Sequence, residues 1–222
     1  MTQTLHPLLW LWVPIAIIIA QIGIEIFTPA QYLPAMHSEG GPHETLQFIF
    51  MSAALFIAIL TLMKIKAQNP WLTAWVSIAA LSSLYVAGEE VSWGQHIFDW
   101  GTPEFWSGVN DQNETNLHNT SSWLDQKPRL VLLIGTIVGG LIIPALAKWK
   151  PQALPKKFLI IYPPAILSVT AAFALLIKIM DKIQDGLDQN LLTRAAEIEE
   201  LYLYYFVLLY LVILLKRLKS AK

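Results

Sequence analysis

The stretch GEEVSWGQHIFD follows a long apolar run and contains residue types that can carry out acid–base chemistry. Glu89 and Glu90 place two carboxylates side by side, which can transfer protons or bind a divalent cation. Ser92 is a candidate nucleophile, and His96 is a candidate base or metal ligand. If the preceding helix continues, its advance of about 100° per residue places four polar side chains on one stripe: Glu89, Ser92, His96 and Asp99.

A second polar cluster, NDQNETNLHN, lies downstream and contains Glu114 and His118 four residues apart. On a helical turn over 113–119 this spacing directs both side chains the same way, and two such ligands can hold one metal ion. We expect this loop to fold back and bring His118 near Glu89 or Glu90. The candidate catalytic residues are therefore Glu89, Glu90, Ser92, Glu114 and His118, and the candidate metal ligands are Glu89, Glu90, His96, Glu114 and His118.

Carboxylates elsewhere in the chain can join this site. Glu44 opens a second apolar segment, while Glu197 and Glu200 begin a later one, with Tyr204 one turn further on. Ionisable side chains next to hydrocarbon are costly and are therefore functional candidates. Simpler interpretations also exist, since Glu44 can favour a helix N-terminus and Glu197 can pair with Arg194.

The elements that must position these residues are apolar helices. The chain has 222 residues, of which 55% are hydrophobic and 14% charged, with a mean hydropathy of +0.50. A soluble domain carries about 25% charged residues, and a membrane-spanning helix needs about 20 apolar ones. Six segments meet that length: 8–27, 44–63, 71–88, 130–147, 158–179 and 198–215. We predict one all-α domain over 1–222, a polytopic membrane bundle of about six transmembrane helices. Cysteine is absent, which excludes disulfides and thiolate chemistry.

The longest region outside these helices, 89–128, is rich in Trp and in other aromatic or aliphatic residues. Loops of this length in compact proteins are usually functional. We expect it to fold onto the membrane face as interfacial or re-entrant helices.

The distribution of charge predicts the orientation of the bundle. Ten of the 15 Lys and Arg residues lie on the side that holds both termini, and all 16 Asp and Glu residues lie in the opposite half. Basic loops mark the cytoplasmic side of a membrane protein. Both termini are therefore predicted to be cytoplasmic and the 89–128 segment periplasmic.

The two polar blocks together resemble a set of bacterial multi-pass inner-membrane proteins. In these a Gly-Glu-Glu-aliphatic-Ser-Trp-Gly-Gln block precedes an Asn-x-Gln-Asn-Glu-x-x-x-His-Asn block, as it does between Gly88 and Asn119 here. The resemblance implies a bacterial inner-membrane location and adds Asn113 to the candidate site residues. No activity is attached to this pattern.

Three functions remain open from the sequence. The first is an enzyme, with or without a bound divalent metal ion, that acts on a lipid head group or a lipid-linked substrate at the periplasmic face. The second is an accessory or scaffold subunit that binds a membrane protein partner, and the third is a cation- or proton-coupled transporter. The lipid bilayer is a partner in each case. Nucleic acid is not, because no basic patch with interleaved aromatic residues exists. The sequence also lacks a G-x-S-x-G, a P-loop and a G-x-G-x-x-G.

Overall fold

A computed structural model describes residues 5–29, 31–33, 40–65, 69–110, 112–188 and 192–220. The fold is 80% helical, with no strands in these ranges. Its helices, in chain order, are α1 (Leu8–Phe27), α2 (Pro42–Leu62), α3 (Pro70–Glu89), the short α4 (Gln95–Phe98) and α5 (Glu104–Val109), α6 (Ser122–Ile137, continued by Val138–Ile142 and Ile143–Trp149), α7 (Ser168–Leu187) and α8 (Ala195–Ser220).

Five helices within the described ranges are long and apolar enough to cross a membrane: Leu8–Phe27, Pro42–Leu62, Pro70–Glu89, Gln126–Trp149 and Ala195–Ser220. The chain therefore has the all-helical, multi-pass architecture that its composition predicts. Their apolar outer faces make lipid the natural surroundings of the bundle.

The predicted segment 158–179 differs from the structure. Helix α7 begins at Ser168 and continues to Leu187, because Pro163 and Pro164 lack the backbone donors that a helix needs there. The second half of α7 carries four charged residues, including Lys182 and Asp185, whose side chains pair at 2.9 Å. Helix α7 is consequently more polar than the five spans.

Helix α8 forms the centre of the bundle. Its span is 72% buried, whereas the corresponding values for the other four spans lie between 11% and 28%. It packs mainly against α2 and α7. A helix that is apolar on all sides is expected to be buried, and α8 follows this rule. The hydroxyl of Tyr202 donates to the carbonyl of Pro14 at 2.8 Å, which fixes α1 against the centre.

The loop between α3 and α6, residues 90–121, folds over one end of the bundle and is called the cap segment below. Its described part excludes residue 111. It is shorter than the predicted 89–128 because α6 already begins at Ser122. Several of its large side chains are exposed: Ile97, Phe98, Trp100 and Phe105.

The helix does not continue through GEEVSWGQHIFD, which corrects the predicted single stripe. Helix α3 ends at Glu89, and the chain then turns through positive φ values at Ser92 (47°), Trp93 (54°) and Gly94 (106°). The φ of Gly94 is rarely accessible to residues with a side chain. Asp99, at φ 53°, ends α4 and is exposed, so it does not belong to the site.

Gly88 explains how this turn is held. The indole of Trp93 folds back over it, so that a Cβ on Gly88 would lie 2.9 Å from three ring atoms. In this position the Trp93 Nε1 donates to Glu89 Oε1 at 2.6 Å. Gly88, the turn at Ser92–Gly94 and the Trp93 indole thus act together to fix the carboxylate of Glu89.

We expect Gly88→Ala to destabilise the protein by about 1–3 kcal/mol, because the added methyl group must displace the indole. Unfolding in detergent micelles, followed by Trp fluorescence, measures the effect. The matched control is Gly108→Ala, at an exposed helical glycine whose added Cβ would meet nothing within 4 Å. Equal stability of the two variants would contradict the role of Gly88.

Candidate functional site

A cavity of about 360 Å³ lies under the cap segment. Helices α2, α3, α6 and α8 contribute to its wall together with the cap. Its charged lining consists of six glutamates, two histidines and two arginines: Glu44, Glu89, Glu90, Glu114, Glu197, Glu200, His96, His118, Arg129 and Arg194. Most of the residues predicted from the sequence therefore surround one space, while Ser92 and Asn113 do not line it.

Glu89 is 3% exposed and is held by several donors. Its Oε2 accepts the backbone N–H groups of Leu117 at 2.7 Å and His118 at 2.8 Å, and its Oε1 accepts the Trp93 indole. Tyr85 also hydrogen-bonds to it. Donors of this number stabilise an ionised carboxylate.

The ring of His118 is oriented by this carboxylate. Its Nδ1 lies 3.3 Å from Glu89 Oε2, and its side chain is 32% exposed, so the ring reaches the cavity. Because Glu89 is an acceptor, Nδ1 carries the proton and Nε2 is left as the basic nitrogen. The predicted approach of His118 to the paired carboxylates is present in the structure.

Glu114 is the centre of a second network. Its Oε1 lies 2.5 Å from His96 Nε2, and its Oε2 accepts the Ser92 hydroxyl at 2.8 Å and the Asn116 amide at 2.5 Å. Ser92 is fully buried and gives its proton to a carboxylate, so its hydroxyl is a structural donor. The structure therefore offers no support for Ser92 as a nucleophile.

The predicted helical face that joins Glu114 to His118 is absent. Asn113 adopts a left-handed φ of 59°, and a helical turn forms only at His118–Thr120. Asparagine tolerates this conformation better than most residues. The two side chains consequently serve different partners, Glu89 for His118 and His96 for Glu114.

Buried amides, which the sequence analysis did not single out, give the cap its shape. Asn110 donates to Asn116 Oδ1 at 2.8 Å and accepts from the backbone of Gln112 at 2.9 Å. Gln95 Oε1 accepts the backbone N–H of Thr115 at 2.8 Å. The unusual density of Asn in NDQNETNLHN was the available signal, since Asn side chains replace backbone partners in irregular loops.

The helix ends contribute a second group of acids, Glu44, Glu90, Glu197 and Glu200, called the acidic cluster below. Glu200 Oε1 lies 3.2 Å from Arg129 Nε, and Glu197 Oε1 lies 3.0 Å from Arg194 Nη2. The pairing of Glu197 with Arg194 at i, i+3 agrees with the simpler interpretation of that residue. Sequence analysis did not single out Arg129 as a site residue.

Glu90 lies among these acids. Burial raises the pKa of its carboxyl well above the ordinary value, and the nearby Glu200, Glu197 and Glu44 raise that pKa further. A hydrogen bond from Tyr204 opposes the shift in this pKa. Glu89 and Glu90 are thus adjacent in sequence, but only Glu89 has a set of donors that favours its charged form.

The described residues contain no group of three or more His, Asp or Glu side chains that could hold a metal ion. The predicted ligand set of Glu89, Glu90, His96, Glu114 and His118 is therefore not assembled. The physical reason is that each histidine pairs with a single carboxylate, His96 with Glu114 and His118 with Glu89. Backbone and indole donors already occupy the oxygens of Glu89.

The sequence matches no protein-family model, no curated protein and no solved structure. The cavity itself is therefore the source of evidence on function. Two histidines oriented by buried carboxylates can each accept and return a proton. Arg129 and Arg194, each paired with a glutamate of the acidic cluster, also line the cavity and can stabilise negative charge that develops on a reacting group.

Proposed function

We propose that the chain is a membrane-embedded hydrolase whose active site is the cavity under the cap segment. The observation that carries the proposal is the pairing of His118 with Glu89. A histidine that lines a cavity and is held through one nitrogen by a buried carboxylate is the arrangement of a general base.

The proposed reaction is hydrolysis of an ester or amide. His118 Nε2 takes a proton from a water molecule as the water oxygen bonds to the substrate carbonyl. Glu89 stabilises the resulting imidazolium through Nδ1. The bond to the leaving group then breaks, and His118 returns the proton to the leaving group. Arg129 and Arg194 stabilise the negative charge on the carbonyl oxygen while it develops.

The substrate class follows from the position of the cavity. It lies where apolar spans end and a cap with exposed Ile97, Phe98 and Phe105 begins. Apolar side chains at such a level belong to the interface of a bilayer. An amphipathic molecule can keep its chains in lipid and present its polar group to His118. We therefore propose a lipid or lipid-linked substrate.

The two alternative functions have less support. A transporter needs polar groups along a path through the bundle, but α8 contains no Asp or Glu after Glu200. A scaffold needs no buried pairs of histidine and carboxylate, which are costly to assemble and are found most often at functional sites.

We also propose that the cap faces the periplasm of a bacterial inner membrane, that α7 crosses the membrane as a sixth and more polar pass beside the five spans, and that both termini are consequently cytoplasmic. Support comes from the excess of Lys and Arg in the loops opposite the cap. Reporter fusions after positions 66 and 157 should be cytoplasmic, and a fusion after 112 should be periplasmic. A cytoplasmic reporter at 112 would reverse the orientation.

The purified protein in nanodiscs tests the proposed activity against a panel of amphipathic esters and amides, in water enriched in ¹⁸O. We expect release of the polar group from at least one of them, with the label in the acyl product. The same panel incubated with Glu89→Gln should be hydrolysed at least about 10²-fold more slowly. If the parent hydrolyses no member above the rate of empty nanodiscs, the hydrolase proposal is wrong.

A further inference from the structure

We propose that the acidic cluster, together with Gln47, binds a primary ammonium group. This inference rests on the proposed function in one respect, namely that the ammonium group belongs to the substrate. The cluster lies at the ends of α2, α3 and α8, whereas the proposed base belongs to the cap. One cavity thus has a reacting side and a recognition side.

The charges of the cavity leave two acids without a basic partner. Four of its six glutamates pair with a basic side chain: Glu89 with His118, Glu114 with His96, Glu197 with Arg194 and Glu200 with Arg129. Within the described ranges, Glu44 and Glu90 form no ion pair. Their hydrogen bonds come from the backbone of Gly40, at 2.7 Å, and from Tyr204. Glu44 and Glu90 are therefore the carboxyl groups of the cavity that an added cation could pair with.

Gln47 is an independent sign of a ligand. It is fully buried, and its Nε2 lies 3.1 Å from Glu197 Oε2 and 3.5 Å from Glu200 Oε2. Its Oε1 has no hydrogen-bond partner in the described part of the chain. Exchanging Oε1 and Nε2 by a flip of the amide would not give Oε1 a donor, because Oε1 would then lie against the carboxylate of Glu197. A buried acceptor without a donor is costly, and a ligand with N–H groups would satisfy it.

The type of cation follows from these acceptors. A primary ammonium has three N–H donors and one positive charge, which match in number and kind two carboxyl groups and one amide oxygen. A quaternary ammonium has the charge without the donors. A phosphate would bring further negative charge to a lining that has six glutamates and two arginines.

Binding should depend on pH. In the absence of an amine, the raised pKa of Glu90 favours a proton on its carboxyl, and an ammonium ion must displace that proton. The groups that act on Glu90 are Glu200, Glu197 and Tyr204 of α8 and Glu44 of α2, while Arg129 of α6 acts on Tyr204. As pH rises through the pKa of Glu90, the charged carboxylate becomes available and the affinity for an ammonium ion increases.

The test is calorimetric titration of the full chain in phosphatidylcholine nanodiscs, which contain no primary amine. The probes are n-octylammonium, n-octyltrimethylammonium and the soluble ethylammonium ion. We expect n-octylammonium to bind about tenfold or more tightly than its quaternary counterpart, because only the former makes charge-assisted hydrogen bonds. Tight binding of ethylammonium as well would identify a free amine as the source, whereas binding of the octyl compound alone would identify a lipid.

Matched variants locate the site. Glu44→Gln and Glu90→Gln should each weaken n-octylammonium binding by about tenfold, while Glu104→Gln, at an exposed cap residue, should bind like the parent. If Glu90→Gln does not fold, Glu44→Gln and the comparison of the two octyl probes still test whether the acidic cluster binds the ammonium group. Equal affinity for both octyl probes, or unchanged binding by Glu44→Gln, would overturn the inference. Because no turnover is measured, amine binding without hydrolysis would refute only the hydrolase, and hydrolysis without amine preference would refute only this site.

Discussion

Replacement of His118 by Ala should lower kcat by about 10²–10⁴-fold, the range usual for removal of a general base. The expected change in KM is small, because the proposed substrate contacts lie elsewhere in the cavity. Glu89→Gln should cause a loss of similar size, since its amide no longer stabilises the imidazolium. Initial rates on the best substrate of the panel measure both effects.

The matched comparison is His96→Gln, at the other carboxylate-bound histidine of the cavity. Its Nε2 is engaged by Glu114 and lies 3.3 Å from Ser92 Oγ, so we expect less than about a tenfold loss in kcat. A large loss at His96 with full activity of His118→Ala would transfer the base role to His96. Full activity of both variants would contradict the proposed mechanism, because neither histidine of the cavity would then act as the base.

The second large effect concerns stability. Glu114→Ala should lower the free energy of unfolding by about 3–5 kcal/mol, because it leaves the buried donors of Ser92 and Asn116, and the partly exposed ring of His96, without their acceptor. The cap should also become sensitive to protease before the spans unfold. Denaturant titration in micelles and limited proteolysis measure the two results.

Glu104→Ala is the control for this variant. Glu104 is exposed, and the hydrogen bond from Ser107 is accepted by its backbone carbonyl, which the substitution retains. Its effect should stay within about 0.5 kcal/mol. A Glu114→Ala protein as stable as Glu104→Ala would show that the buried network does not hold the cap.

The spans were predictable from the sequence because apolar length alone determines them. The positions of α2, α3 and α8 follow the predicted segments closely, while α7 shifts because two prolines outweigh the apolar character of 158–164. The role of α8 as the central helix was not predicted. An apolar run shows that a helix avoids water, and it does not show whether lipid or other helices surround it.

At the site, the residue types were predictable and their partners were not. Glu89 and His118 do approach each other, but the predicted helical spacing of Glu114 and His118 misassigned their contacts. The reversed backbone at Ser92 and Trp93 depends on the indole closing over Gly88, which is a tertiary contact. Periodicity assumes a continuous helix and cannot reveal such a turn.

The central position of α8 also has a consequence for biogenesis. This helix follows the other described helices in the chain, so they enter the bilayer before the axis around which they assemble. Glu197, Glu200 and Tyr204 arrive with it, and the cavity has no inner wall until then. Insertion of α8 therefore completes the cavity, and under the proposed function a nascent chain would be unable to hydrolyse a lipid before that step.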